Sequence, residues 1–97
     1  MRETYDMTLF LGGALTGSRA TQQRHLRQAH IMQSAIQNRW KRDNPWTWQT
    51  KHFLWFLNEH LKNHAIASRY SYRLTALFIC KKLGLKDLSN LLNQAKP

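Results

Sequence analysis

From Thr21 to Trp40 the chain runs without a glycine or a proline, and Leu26, Ala29, Met32, Ile36 and Trp40 recur at steps of three or four. That spacing puts them on one stripe of an α-helix and fits no strand, whose apolar face returns every second residue. A helix of this kind needs other elements to cover its stripe, so the rest of the chain is read for what they are. Asp43-Asn44-Pro45 follows, and proline bars a helical conformation at Asn44, which predicts that the helix ends near Arg42.

A second helix is predicted from about Thr47, with the Thr47 hydroxyl as its cap, to about Asn63. Phe53, Leu54, Leu57 and Leu61 form its inner face, flanked by Trp46, Trp48 and Trp55. A third runs from near Ala65 to Leu83 on the stripe Ile66, Tyr70, Leu74, Leu77, Phe78 and Cys80 or Lys81. Gly84 supplies its left-handed stop, and Lys81-Lys82 suit the negative end of its dipole. Asp87 is then expected to cap a short terminal helix that closes through Leu85, Leu88, Leu91 and Leu92. Gly12, Gly13 and Gly17 break up residues 1–17, read as one or two helical turns and a loop ending near Ser18. The 97 residues suffice for one core, here assigned to residues 18–97, and the fold class expected is all-α, a compact bundle of four to five helices.

The apolar run Met7–Leu15 is far below the roughly 20 residues a bilayer span needs. It is preceded by Glu3 and Asp6 against Arg2, the wrong charge for a secretory leader, so neither a membrane nor a targeting segment is expected. Cys80 is the only cysteine and lies in an apolar periodic stretch, which predicts a buried thiol, no internal disulfide and a reducing, cytoplasmic setting.

Catalysis needs acids, bases and nucleophiles grouped together, whereas the five Asp+Glu are scattered singly. Gly12-Gly13 lacks the lysine and the strand of a phosphate loop. His60 and His64 sit at i, i+4 beside Glu59, but the order is not that of a metalloprotease helix and no third ligand is evident. No enzyme activity, metal or cofactor is expected. His25, His30 and His52 are read as surface or boundary residues, and the tryptophans as core wedges, Trp48 the least committed.

Charge points elsewhere. Fifteen Lys+Arg against five Asp+Glu give +10, and residues 18–86 hold all but two of those cations against only Asp43 and Glu59. A self-repelling excess of this size predicts an anionic partner. Arg24 and Arg27, at i, i+3, lie clear of the apolar stripe of the first long helix. Arg69 and Arg73, at i, i+4 on the third, come with Ser68 and Tyr72. Guanidinium forks beside hydroxyls suit base edges and phosphate oxygens, and Lys41, Arg42, Lys51, Lys81 and Lys82 are candidates to neutralise phosphates. Duplex DNA is the partner expected; structured RNA or an acidic protein would attract the same charge.

The order of these features resembles the N-terminal, SAM-like core-binding domain of tyrosine recombinases, the phage-integrase class. Thr21-Gln22-Gln23-Arg24-His25-Leu26 matches the family's Thr-opened first helix, and Thr47–Leu57 its second. Ala67-Ser68-Arg69-Tyr70-Ser71-Tyr72-Arg73-Leu74-Thr75-Ala76-Leu77-Phe78 matches its signature helix, ending at Leu83-Gly84-Leu85. Coverage is about residues 18–86. Ser68 stands where the family has Thr, and Thr75-Ala76-Leu77 where it has Ala-Leu-Arg. The resemblance implies that the first long helix and the signature helix lie side by side on the DNA major groove. It also implies a mobile-element source and a place in a recombination complex. The family's catalytic Arg, His-x-x-Arg and Tyr have no counterpart in these residues, so no cutting or joining of DNA is expected of them.

Overall fold

The uninterrupted stretch does fold as one helix, and the residues at its ends decide its length. In a computed structural model, which describes residues 4–94, a short α1 spans Met7–Leu11 and the long α2 spans Arg19–Trp40. Ser18 Oγ accepts the Thr21 N–H at 3.2 Å, so α2 opens two residues before Thr21. It stops at Trp40, short of Arg42, because Lys41 turns into the left-handed region at φ 60°, ψ 39°. Proline is therefore not what ends α2; Pro45 instead holds Asn44 extended and starts a 3-10 turn, Pro45–Thr47.

The second predicted helix is shorter and irregular. Thr47 does not cap it, since its hydroxyl donates to the Asn44 carbonyl at 2.7 Å. The helix proper, α3, covers Thr50–Trp55 and opens at Gln49, whose N–H is accepted by His52 Nδ1 at 2.8 Å. From Phe56 to His60 it widens into a π-helical turn closed by Leu61 N–H to Phe56 O at 3.2 Å, and it ends three residues before Asn63. Phe53, Leu57 and Leu61 are buried as expected, but Leu54 is only half-buried and Phe56, outside the predicted stripe, has no exposure at all.

Helix α4 spans Ile66–Leu83 and is stopped by Gly84 at φ 77°, as its sequence requires. Its buried face matches the predicted stripe only in part: Leu77 and Cys80 are buried as expected and Leu74 and Phe78 half-buried, but Tyr72, Thr75, Ala76 and Ile79 also face inward, while Ile66 is 66% and Tyr70 40% exposed. The reason is position. Helix α4 is packed by α1, α2, the 3-10 turn, the π-turn and α5, so a single stripe cannot describe its buried side. The terminal helix α5, Lys86–Gln94, closes through Leu88 and Leu92 and leaves Leu91 exposed; Asp87 lies inside its first turn rather than before it.

All described elements are helical or turns, and they form one all-α bundle. Met7, Phe10 and Leu11 of α1 enter the same core as Met32, Ile36, Phe53, Phe56, Ala76 and Ile79, so the N-terminal segment is built into the body. Asp6 caps α1 by accepting the Leu9 N–H at 3.0 Å. Gln33, buried on α2, donates to the carbonyls of Tyr5 and Asp43, both at 2.8 Å, and the Asp43 carboxylate accepts the Tyr5 N–H at 2.9 Å. One amide thereby joins three segments; each such bond is worth about 0.5–1.5 kcal/mol net. Arg2 and Glu3, counted above in the N-terminal charge, and residues 95–97 of the assigned domain lie outside the described residues.

The tryptophans divide. Trp48 is core, with Nε1 donating to the Arg42 carbonyl at 2.7 Å and its ring edge-on to Phe53. Trp46 is 56% exposed, resting on Phe10 and donating to the Tyr5 hydroxyl at 3.0 Å. Trp40 and Trp55 meet edge-on at 5.1 Å, with the Arg39 guanidinium over both rings.

Candidate nucleic-acid interface

Helices α2 and α4 lie side by side and antiparallel, since His25 meets Thr75 and Phe78 while Gln28 meets Ser71 and Thr75. The seam between them is polar. Thr75 Oγ1 donates to Gln28 Oε1 at 2.7 Å, and Ser71 Oγ donates to the same oxygen at 3.2 Å. The same Thr75 Oγ1 lies 2.7 Å from His25 Nδ1 and 3.3 Å from the Ser71 carbonyl, so one hydroxyl links His25, Gln28 and Ser71 across the seam. Desolvation, with the Arg24 charge second and partly opposed by Gln28, holds His25 below its ordinary pKa of 6.5.

His25 is therefore not a surface residue, and neither is His52, which has no exposure and packs edge-on against Trp40 at 4.6 Å. Burial, then the charges of Arg42 and Lys51, lowers its pKa as well. His30 is exposed, as read.

Neither α2 nor α4 contains an Asp or Glu, yet between them they carry Arg19, Arg24, Arg27, Arg39, Arg69, Arg73, Lys81 and Lys82. Asp6 and Asp43, described above, are occupied with backbone N–H groups at the N-terminal side of the fold. Arg24 and Arg27 are exposed and sit on the outer side of the seam, the side away from Ala29, Met32 and Ile36.

The structure does not bring Arg69 and Arg73 to that surface. Ser71 faces α2, and Arg73, two residues on, is about 200° further round the helix. Both arginines are half-buried, and Arg73 Nη1 is fully buried without a hydrogen-bond partner among the described residues. Tyr72 is withdrawn too: 8% exposed, it packs edge-on against Phe56 and His64, and desolvation raises its phenol pKa. Ser68 is half-buried.

Lys41, Arg42, Lys51, Lys81 and Lys82 are all exposed but dispersed: the end of α2, the start of α3 and the end of α4. Lys82 shares a shallow depression with Tyr5, Asp6, Leu9, Phe10 and Trp46. Gln28, Ser71 and Thr75 have no place in an apolar-stripe reading, though their helical spacing already put 71 and 75 on one face of α4.

No three His, Cys, Asp or Glu side chains are grouped for a metal among the described residues. His60 instead stacks on Phe56 at 5.0 Å. Cys80 is buried and its thiol is pushed up to about 12 by desolvation, which removes it as a nucleophile at neutral pH. No helix among the described residues is long and apolar enough to cross a membrane. No family model matches the chain, and no curated protein or solved structure matches it either. The likeness to recombinase core-binding domains therefore rests on the residues quoted for it.

Proposed function

We propose that the protein is a non-catalytic nucleic-acid-binding domain that engages duplex DNA through the outer side of the α2–α4 pair. The observation that carries this reading is the absence of any carboxylate from two adjacent helices that hold eight Arg and Lys, six of them exposed once Arg69 and Arg73 are set aside. A solvated helix face of ordinary function interleaves both signs, whereas uncompensated like charge destabilises the fold until an anion neutralises it. Arg24 and Arg27 lead the contact, a major groove admits a single α-helix such as α2, and Lys81 is exposed near the end of α4. The likeness to core-binding domains supports the same pair of helices and a role beside a recombinase.

Titration against labelled duplex DNA, single-stranded DNA and hairpin RNA at two salt concentrations tests it. Duplex binding is expected to weaken with salt at a slope of about −0.9 per phosphate contacted. It should be lost in Arg24→Glu/Arg27→Glu and retained in Arg69→Glu when that variant folds. Salt-indifferent binding, or binding untouched by the α2 double variant, would sink the proposal; preference for the hairpin would assign the surface to RNA.

A further inference from the structure

We infer that Gln28 is a base-reading residue, its amide aimed by two hydroxyls of the neighbouring helix, so that the protein binds DNA with sequence preference. This rests on the duplex reading above and adds a claim about selectivity. Gln28 lies at i+4 from Arg24 and three residues before Ile31, so the three share one strip of α2, and Ile31 is 41% exposed. Gln28 itself is half-buried at the outer side of the seam.

Its placement is unusual for a surface glutamine. Two hydroxyls from α4, Ser71 at 3.2 Å and Thr75 at 2.7 Å, converge on Oε1. Both lone pairs of that oxygen are thereby used, the side chain is held in one rotamer, and what remains for a ligand is the Nε2 amide with its two protons. Thr75 is in turn fixed by His25, so the orientation is set by a chain of three bonds inside the protein. A flexible glutamine loses side-chain entropy whenever it binds; one already held loses little, which favours directional recognition over loose phosphate contact.

A fixed amide donor recognises base acceptors. In the major groove these are N7 and O6 of guanine, N7 of adenine and O4 of thymine. Arg24 on one side supplies a guanidinium for guanine or phosphate, and Ile31 on the other an apolar surface for the thymine methyl group. The strip thus combines a cation, an oriented donor and an apolar contact along one helix face, which is more than neutralising phosphates requires.

The experiment is selection from a randomised duplex pool by the wild-type protein, Gln28→Ala and Gln28→Glu, each checked for folding by thermal melting. Glutamate retains acceptor oxygens for Ser71 and Thr75 while replacing the amide donor, so it separates reading from packing. The wild type is expected to enrich a site with a purine or thymine at one position. Gln28→Ala should lose preference there by fivefold or more, on the order of what a good base contact contributes, and Gln28→Glu should turn it toward cytosine, whose N4 is a donor. Enrichment of the same site by all three proteins would overturn the inference, as would duplex binding with no enrichment by the wild type, which leaves the DNA reading standing. Absence of duplex binding altogether would remove both.

Discussion

His25 Nδ1 and Thr75 Oγ1 lie 2.7 Å apart across the α2–α4 seam, joining residues fifty positions apart in the chain. His25 is 3% exposed and Thr75 not at all, so the pair sits where an unmade hydrogen bond is costly. The two helices proposed to meet DNA are thus held in register by polar groups as well as by packing, and the register sets how Arg24 stands relative to α4.

Thr75→Val keeps the shape of the side chain and removes its hydroxyl. It leaves buried His25 Nδ1 without its partner across the seam, and Gln28 Oε1 with Ser71 alone. A loss of about 1–3 kcal/mol is expected, the desolvation penalty of a buried group left unpaired. Thermal unfolding would show it as a fall in Tm of several degrees, roughly 4–8 °C per kcal/mol for a domain of this size. A Tm within a degree of wild type would mean that the seam bond contributes nothing net.

Acid should weaken the fold earlier than carboxylate titration alone would. Burial lowers the pKa of both His25 and His52 from 6.5. Below about 6.5 the unfolded chain takes up protons that the folded chain refuses, so stability rises with pH through this window and is lost as pH falls toward the lowered values. The urea midpoint is expected to be lower at pH 5.5 than at pH 7.5. Protonation of His52 also removes the acceptor that holds the Gln49 N–H, so α3 should be among the first elements to exchange its amides. An equal midpoint at the two values would contradict the buried-neutral assignment of these histidines.

Arg73 separates charge from contact. The side chain is half-buried, but its Nη1 is buried without a hydrogen-bond partner among the described residues, so an apolar residue of similar length removes an unsatisfied donor and is often neutral or stabilising. Arg73→Met is expected to leave Tm unchanged or raised, with duplex affinity falling by no more than the general loss of one charge. Arg24→Met, at an exposed position, should do the reverse: no effect on Tm and weaker binding. If Arg73→Met abolishes binding while Arg24→Met does not, the surface has been assigned to the wrong side of α4.

These contrasts show where the sequence was legible. Helices α2 and α4 could be read from spacing, and the stop at Gly84 from its freedom at φ 77°, because all of these are local preferences. The inward turn of Tyr72 and the outward turn of Tyr70 and Ile66 could not, since the buried side of α4 is decided by the elements packed round it. The π-turn after Trp55 likewise has no single-residue signature. Charge was legible as a total but not as a surface: Arg69 and Arg73 looked equivalent to Arg24 and Arg27 until the position of α2 against Ser71 and Thr75 fixed which side of α4 meets solvent.

Lys41 carries the last prediction, because its backbone and its side chain pull in opposite directions. At φ 60° it is the one non-glycine residue among those described with positive φ, a conformation that costs a side-chain-bearing residue roughly 1 kcal/mol or more. Glycine would end α2 without that strain, so Lys41→Gly is expected to raise Tm. The same substitution removes an exposed cation from the end of the helix that leads the proposed contact. If Lys41 meets a phosphate, duplex affinity should drop uniformly across sequences and the salt slope become shallower by about one. A stabilised variant with weaker, less salt-dependent binding would mean that a strained lysine is kept at this position for its charge. A stabilised variant with unchanged salt slope would place the end of α2 outside the contact and confine the interface to the region around Arg24, Arg27 and Gln28.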